Sequence, residues 1–289
     1  MSQNLADLVP ADGALAGLRL WLKSSAYTRR LLLGETGDPW QGASNYLAYF
    51  SQAQGLLKPD VAVIEVGELF ASWLRRHPGL AAGMAAKRKA SFPLRHLLEQ
   101  APARTLLAEV VAAVLANLGG QLPLVLAMPS PRQWLLQASR AAGRDASEPD
   151  PDGIEDAAMY MADLMRSVSD QAVGGLLFEE AQEGPDCAAV DLELYRPMIN
   201  VAKHYRWPLA LRVGPGGVAD GAAVAEFDVF IGAAGVPAAA RVHGIDASAR
   251  LRAGQALPDL APRQFYYIEI ASDATPERVL DGLAALRSR

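Results

Sequence analysis

The chain of 289 residues contains one cysteine, Cys187, and four histidines. A lone thiol cannot close an intrachain disulfide, and it excludes every zinc site that needs two or more thiolates from one chain. Basic residues are outnumbered, 27 Lys and Arg against 32 Asp and Glu, which leaves a formal charge of −5. A phosphate backbone needs a concentrated cationic face, so no nucleic-acid partner is expected. The longest block of like charge is "KRK" (Lys87 to Lys89), a solvated loop or at most an anion clamp. No apolar stretch approaches the roughly 20 residues that cross a bilayer. Residues 1–25 also lack a basic start and an unbroken apolar stretch, because Asp7 and Asp12 interrupt them. The expectation is a cytoplasmic protein with no membrane partner. Dinucleotide and P-loop signatures are missing too: "GPGGV" (214–218) is glycine-rich, but Pro215 and the absence of a helix pattern behind it argue against a phosphate loop.

About half of the residues are apolar and 20% are charged, which is the composition of a chain with a sizeable core. Short apolar runs rich in Leu, Val and Ile alternate with amphipathic helical stretches. The runs are 29–35, 60–66, 122–129, 173–180, 207–213, 227–233, 239–245 and 265–271. Runs of this kind mark strands buried on both faces of a parallel sheet. Helix signals fall between them. Residues 105–118 end at Gly119-Gly120, 154–172 follow a capping Asp152, and 275–287 open with Thr275 as cap and Pro276 in the first turn. Eight strands with helices between them, in just under 300 residues, predict a single-domain (β/α)8 TIM barrel, with a doubly wound open sheet as its competitor. Residues 1–28 read as an N-terminal extension. Residues 78–93 and 141–153, rich in Gly, Ala, Ser, Pro and charge, read as mobile surface loops.

In such a barrel the functional face is built from the C-terminal ends of the strands. The predicted ends supply Glu35, Glu65, Ser130, Arg132, Glu179, Arg212, His243 and Glu269. The run "VGGLLFEE" ends in two adjacent carboxylates, and since neighbours on a strand point to opposite faces, only one of Glu179 and Glu180 can look along the barrel axis. Glu179 is the candidate acid or base and His243 its proton partner, imidazole being the common shuttle near neutral pH. Arg132 and Arg212 are the candidate carboxylate-holding groups. Ser130, Glu35, Glu65 and Glu269 complete the polar lining. An ion pair that merely closes the mouth is the bland alternative for the acids.

The order of "DVAVIEVGEL", "LPLVLAMPSPRQWL", "GGLLFEE", "LELYRPMINVAKHYRWPLALRV" and a last strand followed by "TPERVLDGLAAL" resembles the barrel superfamily that contains uroporphyrinogen decarboxylase and cobalamin-independent methionine synthase. The likeness spans residues 29–287. It implies a TIM barrel and an enzyme acting on a small anionic substrate, by acid–base decarboxylation or by one-carbon (methyl) transfer. It places an acid after Phe178, at Glu179, and implies a homodimer by analogy with the decarboxylases. The arginine-rich substrate-gripping segment of the decarboxylases has no counterpart in "LKSSAYTRRLLLGETGD". The His-x-Cys of the zinc-dependent methyltransferases is absent as well, since position 245 is Ile. No cofactor is named by the residues, and no metal ligand is assigned. A catalytically inactive barrel serving as a ligand-binding or partner subunit is the second reading.

Overall fold

The computed structural model describes residues 4–8, 18–144, 148–183, 187–233, 236–238 and 240–287. Eight parallel strands form one sheet: β1 (Leu20–Lys23), β2 (Ala62–Glu65), β3 (Leu124–Pro129), β4 (Gly175–Glu179), β5 (Leu209–Arg212), β6 (Val229–Gly232), β7 (Val242–Asp246) and β8 (Gln264–Glu269). From β2 to β8 each strand bonds to the next in sequence, and β1 bonds to β8, giving the order β1-β8-β7-β6-β5-β4-β3-β2. Helices fill most connections on the outside. The chain is a single-domain (β/α)8 TIM barrel, nearly closed.

Alternation along the strands divides the core in two. Trp21, Val125, Ala127, Leu177, Ala210, Ile231 and Phe265 meet inside the barrel. The intervening residues, such as Leu126, Leu176, Leu211 and Phe230, pack against the helices. Both faces of the strands are therefore dry, which is why their sequences run apolar without alternating. Leu5 and Leu18, both fully buried, join the inner cluster, and the Leu5 amide donates to the Gly174 carbonyl at 2.9 Å. The N-terminal residues thus plug the base of the barrel.

Closure is incomplete between β1 and β2, which share no strand pairing. At the foot of this seam the Leu20 amide donates to Asp60 Oδ2 at 3.1 Å, a side chain standing in for a strand. Farther along lies a small crevice of ≈ 50 Å³, lined by Thr28, Tyr46, Tyr49, Glu65 and Glu68 among others.

The first strand is not where the apolar run 29–35 places it. That run lies largely in the helix Ser25–Leu33, which ends at Gly34 with φ 77°. Two of its leucines, Leu31 and Leu33, stand in solvent at 42% and 38% exposure. The true β1 lies in "LRLWLK", inside the segment read as an N-terminal extension. Its apolar residues are fewer, and it was masked by the louder run that follows.

The two segments read as surface loops carry structure. Residues 78–93 include the helix Gly79–Met84, anchored by fully buried Met84. Arg144, from the second segment, donates to the carbonyls of Met84, Lys87 and Lys89 and so ties the two together. Asp150 then caps the helix Pro151–Met165 by accepting from the Gly153 amide, while 145–147 lie outside the described residues. Lys89 pairs with Asp156 at 2.6 Å and Lys87 lies over the Phe92 ring, so the "KRK" block is engaged on the outer surface.

One helix, Ala101–Leu118, is long and apolar enough to pass as a membrane span among the described residues. Leu107, Val110, Val111 and Val114 on one side of it are fully buried in the core.

Candidate active site

The strand register sets a ring of side chains at the C-terminal mouth. Lys23 lies opposite Glu269, Glu179 opposite Arg212, and Asp246 opposite Tyr267. Counting in twos from the inner core, Lys23, Glu65, Glu179, Arg212, Asp246 and Glu269 fall on the inward face of their strands. Six strands thus end in a charged residue aimed at one opening. The mouth holds a cavity of ≈ 450 Å³ bordered by Lys23, Glu179, Arg212, Arg252 and Glu269.

Two cations organise the ring. Lys23 Nζ donates to both oxygens of Glu179, at 2.7 and 2.6 Å. Arg212 serves three carboxylates: Glu269 at 2.7 Å, Asp246 at 2.8 Å and Glu179 at 3.5 Å. Its guanidinium also lies 4.8 Å from the Tyr267 ring centroid, a cation–π contact. The Tyr267 hydroxyl donates to Glu179 Oε1 at 3.3 Å.

Burial and charge pull these groups in different directions. Burial alone would raise the Glu179 carboxyl, but Lys23 and Arg212 outweigh it and hold the group below the ordinary carboxylate range. Burial likewise opposes the Lys23 ammonium, yet Glu179, Glu65 and Glu269 together keep it above the ordinary lysine value. Glu65 is the exception. Buried, near Lys23 but also near Glu179, Glu68 and Glu269, it is pushed up to about 8. It forms no hydrogen bond or ion pair among the described residues, and it borders the seam crevice rather than the mouth cavity. At neutral pH the ring therefore holds a charged Lys–Glu pair with a neutral carboxyl near the lysine. The other ring residues are three acids, Glu179, Asp246 and Glu269, against two cations, Lys23 and Arg212, a formal excess of one negative charge.

Glu180 belongs to a different environment. It points outward, 5% exposed, toward the helix Pro131–Ala141, and its Oε1 accepts from the Tyr195 hydroxyl at 2.6 Å. Desolvation raises its pKa despite Tyr195, Ser130 and Arg132 nearby. Ser130 is buried as the N-cap of that helix, accepting from the Gln133 amide at 3.2 Å. Arg132 donates to Glu148 through Nε at 2.9 Å and a terminal nitrogen at 2.6 Å.

Of the sequence-predicted residues, the fold gathers Glu179, Arg212 and Glu269 around the mouth and sets Glu65 on the same inward face beside the seam crevice. Four others fall elsewhere. Arg132 and Ser130 stand behind the barrel wall with Glu180. Glu35 follows a helix, 82% exposed, 3.9 Å from Arg30. His243 lies three residues before the end of β7, about 10 Å below the rim at strand rise, and it faces outward because Val242, Gly244 and Asp246 take the inner side. Its Nε2 lies 3.3 Å from the Gly232 carbonyl. Gly244 has a packing reason: a Cβ there would sit 2.6 Å from Phe265 Cζ and 2.8 Å from Ile231 Cγ1. His243 is therefore no proton partner of Glu179.

Lys23, Asp246 and Tyr267 were not read from the sequence as site residues. Lys23 was hidden by the misplaced first strand. Asp246 lies one residue beyond the predicted run 239–245, and Tyr267 lies inside the run 265–271 and not at its end. The alternation in "LRLWLK", ending on a lysine, was the one signal available. Comparison with protein-family models and with curated proteins finds no match to this chain.

Proposed function

We propose that this chain is an enzyme that acts on a small carboxylic acid by acid–base chemistry in the barrel mouth, in the manner that the resemblance to the uroporphyrinogen decarboxylase and methionine synthase superfamily implies. The observation that carries the reading is the Lys23–Glu179 pair in an open barrel end, close to a carboxyl that stays protonated at neutral pH. Of the two reactions implied, decarboxylation uses these groups most directly. The C–CO2 bond breaks, CO2 leaves, and the electron pair remains on a carbon next to a group in the substrate that delocalises it, as in a 3-oxo acid. The Lys23 ammonium gives its proton to that carbon, and Glu65 supplies the replacement. Glu179 holds Lys23 in place and keeps it charged until the transfer. Methyl transfer would use the same pair to move the proton of the accepting group.

The test is CO2 release from a panel of small 3-oxo acids. Lys23→Met should lower kcat by roughly 10²–10⁴-fold, the usual worth of a positioned acid or base. Turnover within a factor of two of the wild type in both Lys23→Met and Glu179→Gln would overturn the assignment.

One observation favours the second reading, a non-catalytic barrel that binds a ligand or partner. Arg212 already has three carboxylate neighbours and Lys23 has one, so the mouth neutralises most of its own charge. A protein that binds members of the panel but turns over none of them would support that reading.

A further inference from the structure

Arg132 and Arg212, the cations expected to hold an anion, are engaged inside the fold. Two other guanidiniums on the functional face are not. Arg252 ends the helix Ser248–Arg252 that follows β7, and Arg278 lies in the first turns of the helix Pro276–Arg287 that follows β8. Neither enters a hydrogen bond or ion pair among the described residues. Both border a cavity of ≈ 240 Å³ whose walls include Leu251, Ile268, Ile270, Val279 and Leu283. The last four are nearly or fully buried, so the floor is apolar and dry.

This side pocket adjoins the mouth. Arg252 and Glu269 border both cavities, and the Glu269 carboxylate is drawn to Arg212. Asp273 also lies on the rim. Two free guanidiniums against one free carboxylate leave the rim positive, whereas the mouth beside it carries an excess of negative charge. An apolar body with one anionic end matches that arrangement, and a cationic or fully polar ligand does not. Size sets a bound. Benzene, with six heavy atoms, fills a cavity of about 150 Å³, so a cavity of this volume holds roughly ten.

We infer that the pocket between β8 and the helices Ser248–Arg252 and Pro276–Arg287 binds the apolar body of an aryl or short alkyl carboxylic acid, with Arg252 and Arg278 holding its carboxylate. Calling that ligand the substrate rests on the proposed function; the binding itself needs no turnover.

Isothermal titration with 3-phenylpropanoate, 3-phenylpropanol and 3-phenylpropylamine separates the contributions. The acid should bind about tenfold more tightly than the alcohol, and the amine more weakly than either. The double variant Arg252→Gln/Arg278→Gln should bring the acid to the level of the alcohol, about a tenfold loss for two exposed contacts. Ala274→Trp, which fills the pocket, should remove binding of all three while leaving Tm close to wild type. Should that variant fail to fold, the glutamine pair still decides. Equal affinity for acid and amine, or an acid affinity unchanged in the glutamine pair, would overturn the inference. In Lys23→Met, acid binding should persist. If binding is lost there and retained in the glutamine pair, the anion sits in the mouth, which removes the side pocket and leaves the mouth reading standing.

Discussion

Glu179 and Glu180 are neighbours in sequence with identical side chains, yet they occupy opposite electrostatic worlds. Strand alternation sends one to the barrel axis and the other to the barrel wall. Glu179 meets two cations and ionises more readily than a free carboxyl. Glu180 meets Tyr195 and Ser130, with Arg132 nearby, and burial still makes its ionisation harder. Both are buried, so burial alone does not decide the protonation state; the partner does. A buried cation within hydrogen-bond reach is sufficient to reverse the sign of the shift.

The sharpest way to break this comparison is to make the same substitution at both positions. Glu179→Gln removes the anion from Lys23 and leaves a buried ammonium without its hydrogen-bonded partner, which costs about 3–5 kcal/mol. Glu180→Gln keeps an acceptor for Tyr195 and removes a charge the site does not favour, so it should cost less than about 1 kcal/mol. Urea unfolding at pH 7 measures both. Equal costs would mean that the two carboxyls share a protonation state.

Most of the barrel was legible because strands buried on both faces leave continuous apolar runs. Seven of the eight runs coincide with strands. The eighth failed where apolar density and burial part company: the leucines of 29–35 end a helix in solvent, while β1 is a short strand with an arginine before it and a lysine at its end. That single displacement concealed Lys23, the main partner of Glu179. Residue parity predicted that one of the two glutamates faces inward, but not which. His243 was misread because it was placed at a strand end, whereas β7 runs on to Asp246. Here Gly244 admits the Phe265 ring into the barrel, and imidazole position depended on a strand end that lies three residues later. The pairing of Arg132 with Glu148 depends on how a loop returns to a helix start, for which a sequence carries no periodic signal.

Glu65 extends the comparison to a third carboxyl, and pH is the variable that exposes it. Its folded pKa lies at about 8, above the unfolded value near 4.3. Between these values the folded state binds more protons than the unfolded one, so stability from this group falls as pH rises through that window. Glu179 contributes in the opposite sense: its pKa is lowered, so its contribution is present above the unfolded value and is lost as pH falls below it. Wild-type stability should therefore decline between pH 5 and 8, by up to a few kcal/mol for the Glu65 contribution. In Glu65→Gln that decline should be flatter. Unfolding midpoints measured at several pH values give the slope for each protein, and parallel slopes would place Glu65 among ordinary carboxylates.

The smallest effects distinguish the two tyrosines that serve the neighbouring glutamates. Tyr195 is fully buried and its hydroxyl donates at 2.6 Å to Glu180, the only cation-poor carboxyl of the two. Tyr267 donates at 3.3 Å to Glu179, which Lys23 already grips through both oxygens. Tyr195→Phe should cost about 1 kcal/mol if Glu180 is neutral and about 2–3 kcal/mol if it is ionised, because a charged acceptor loses more with its donor. Tyr267→Phe should cost less than about 0.5 kcal/mol, since a long bond to an already paired oxygen contributes little. Combining Tyr195→Phe with Glu180→Gln isolates the coupling between the two side chains. A coupling of about 1 kcal/mol or less is the signature of a neutral carboxyl, whereas a larger one would return Glu180 to the ionised class and leave Arg132, not Tyr195, as the group that sets its charge.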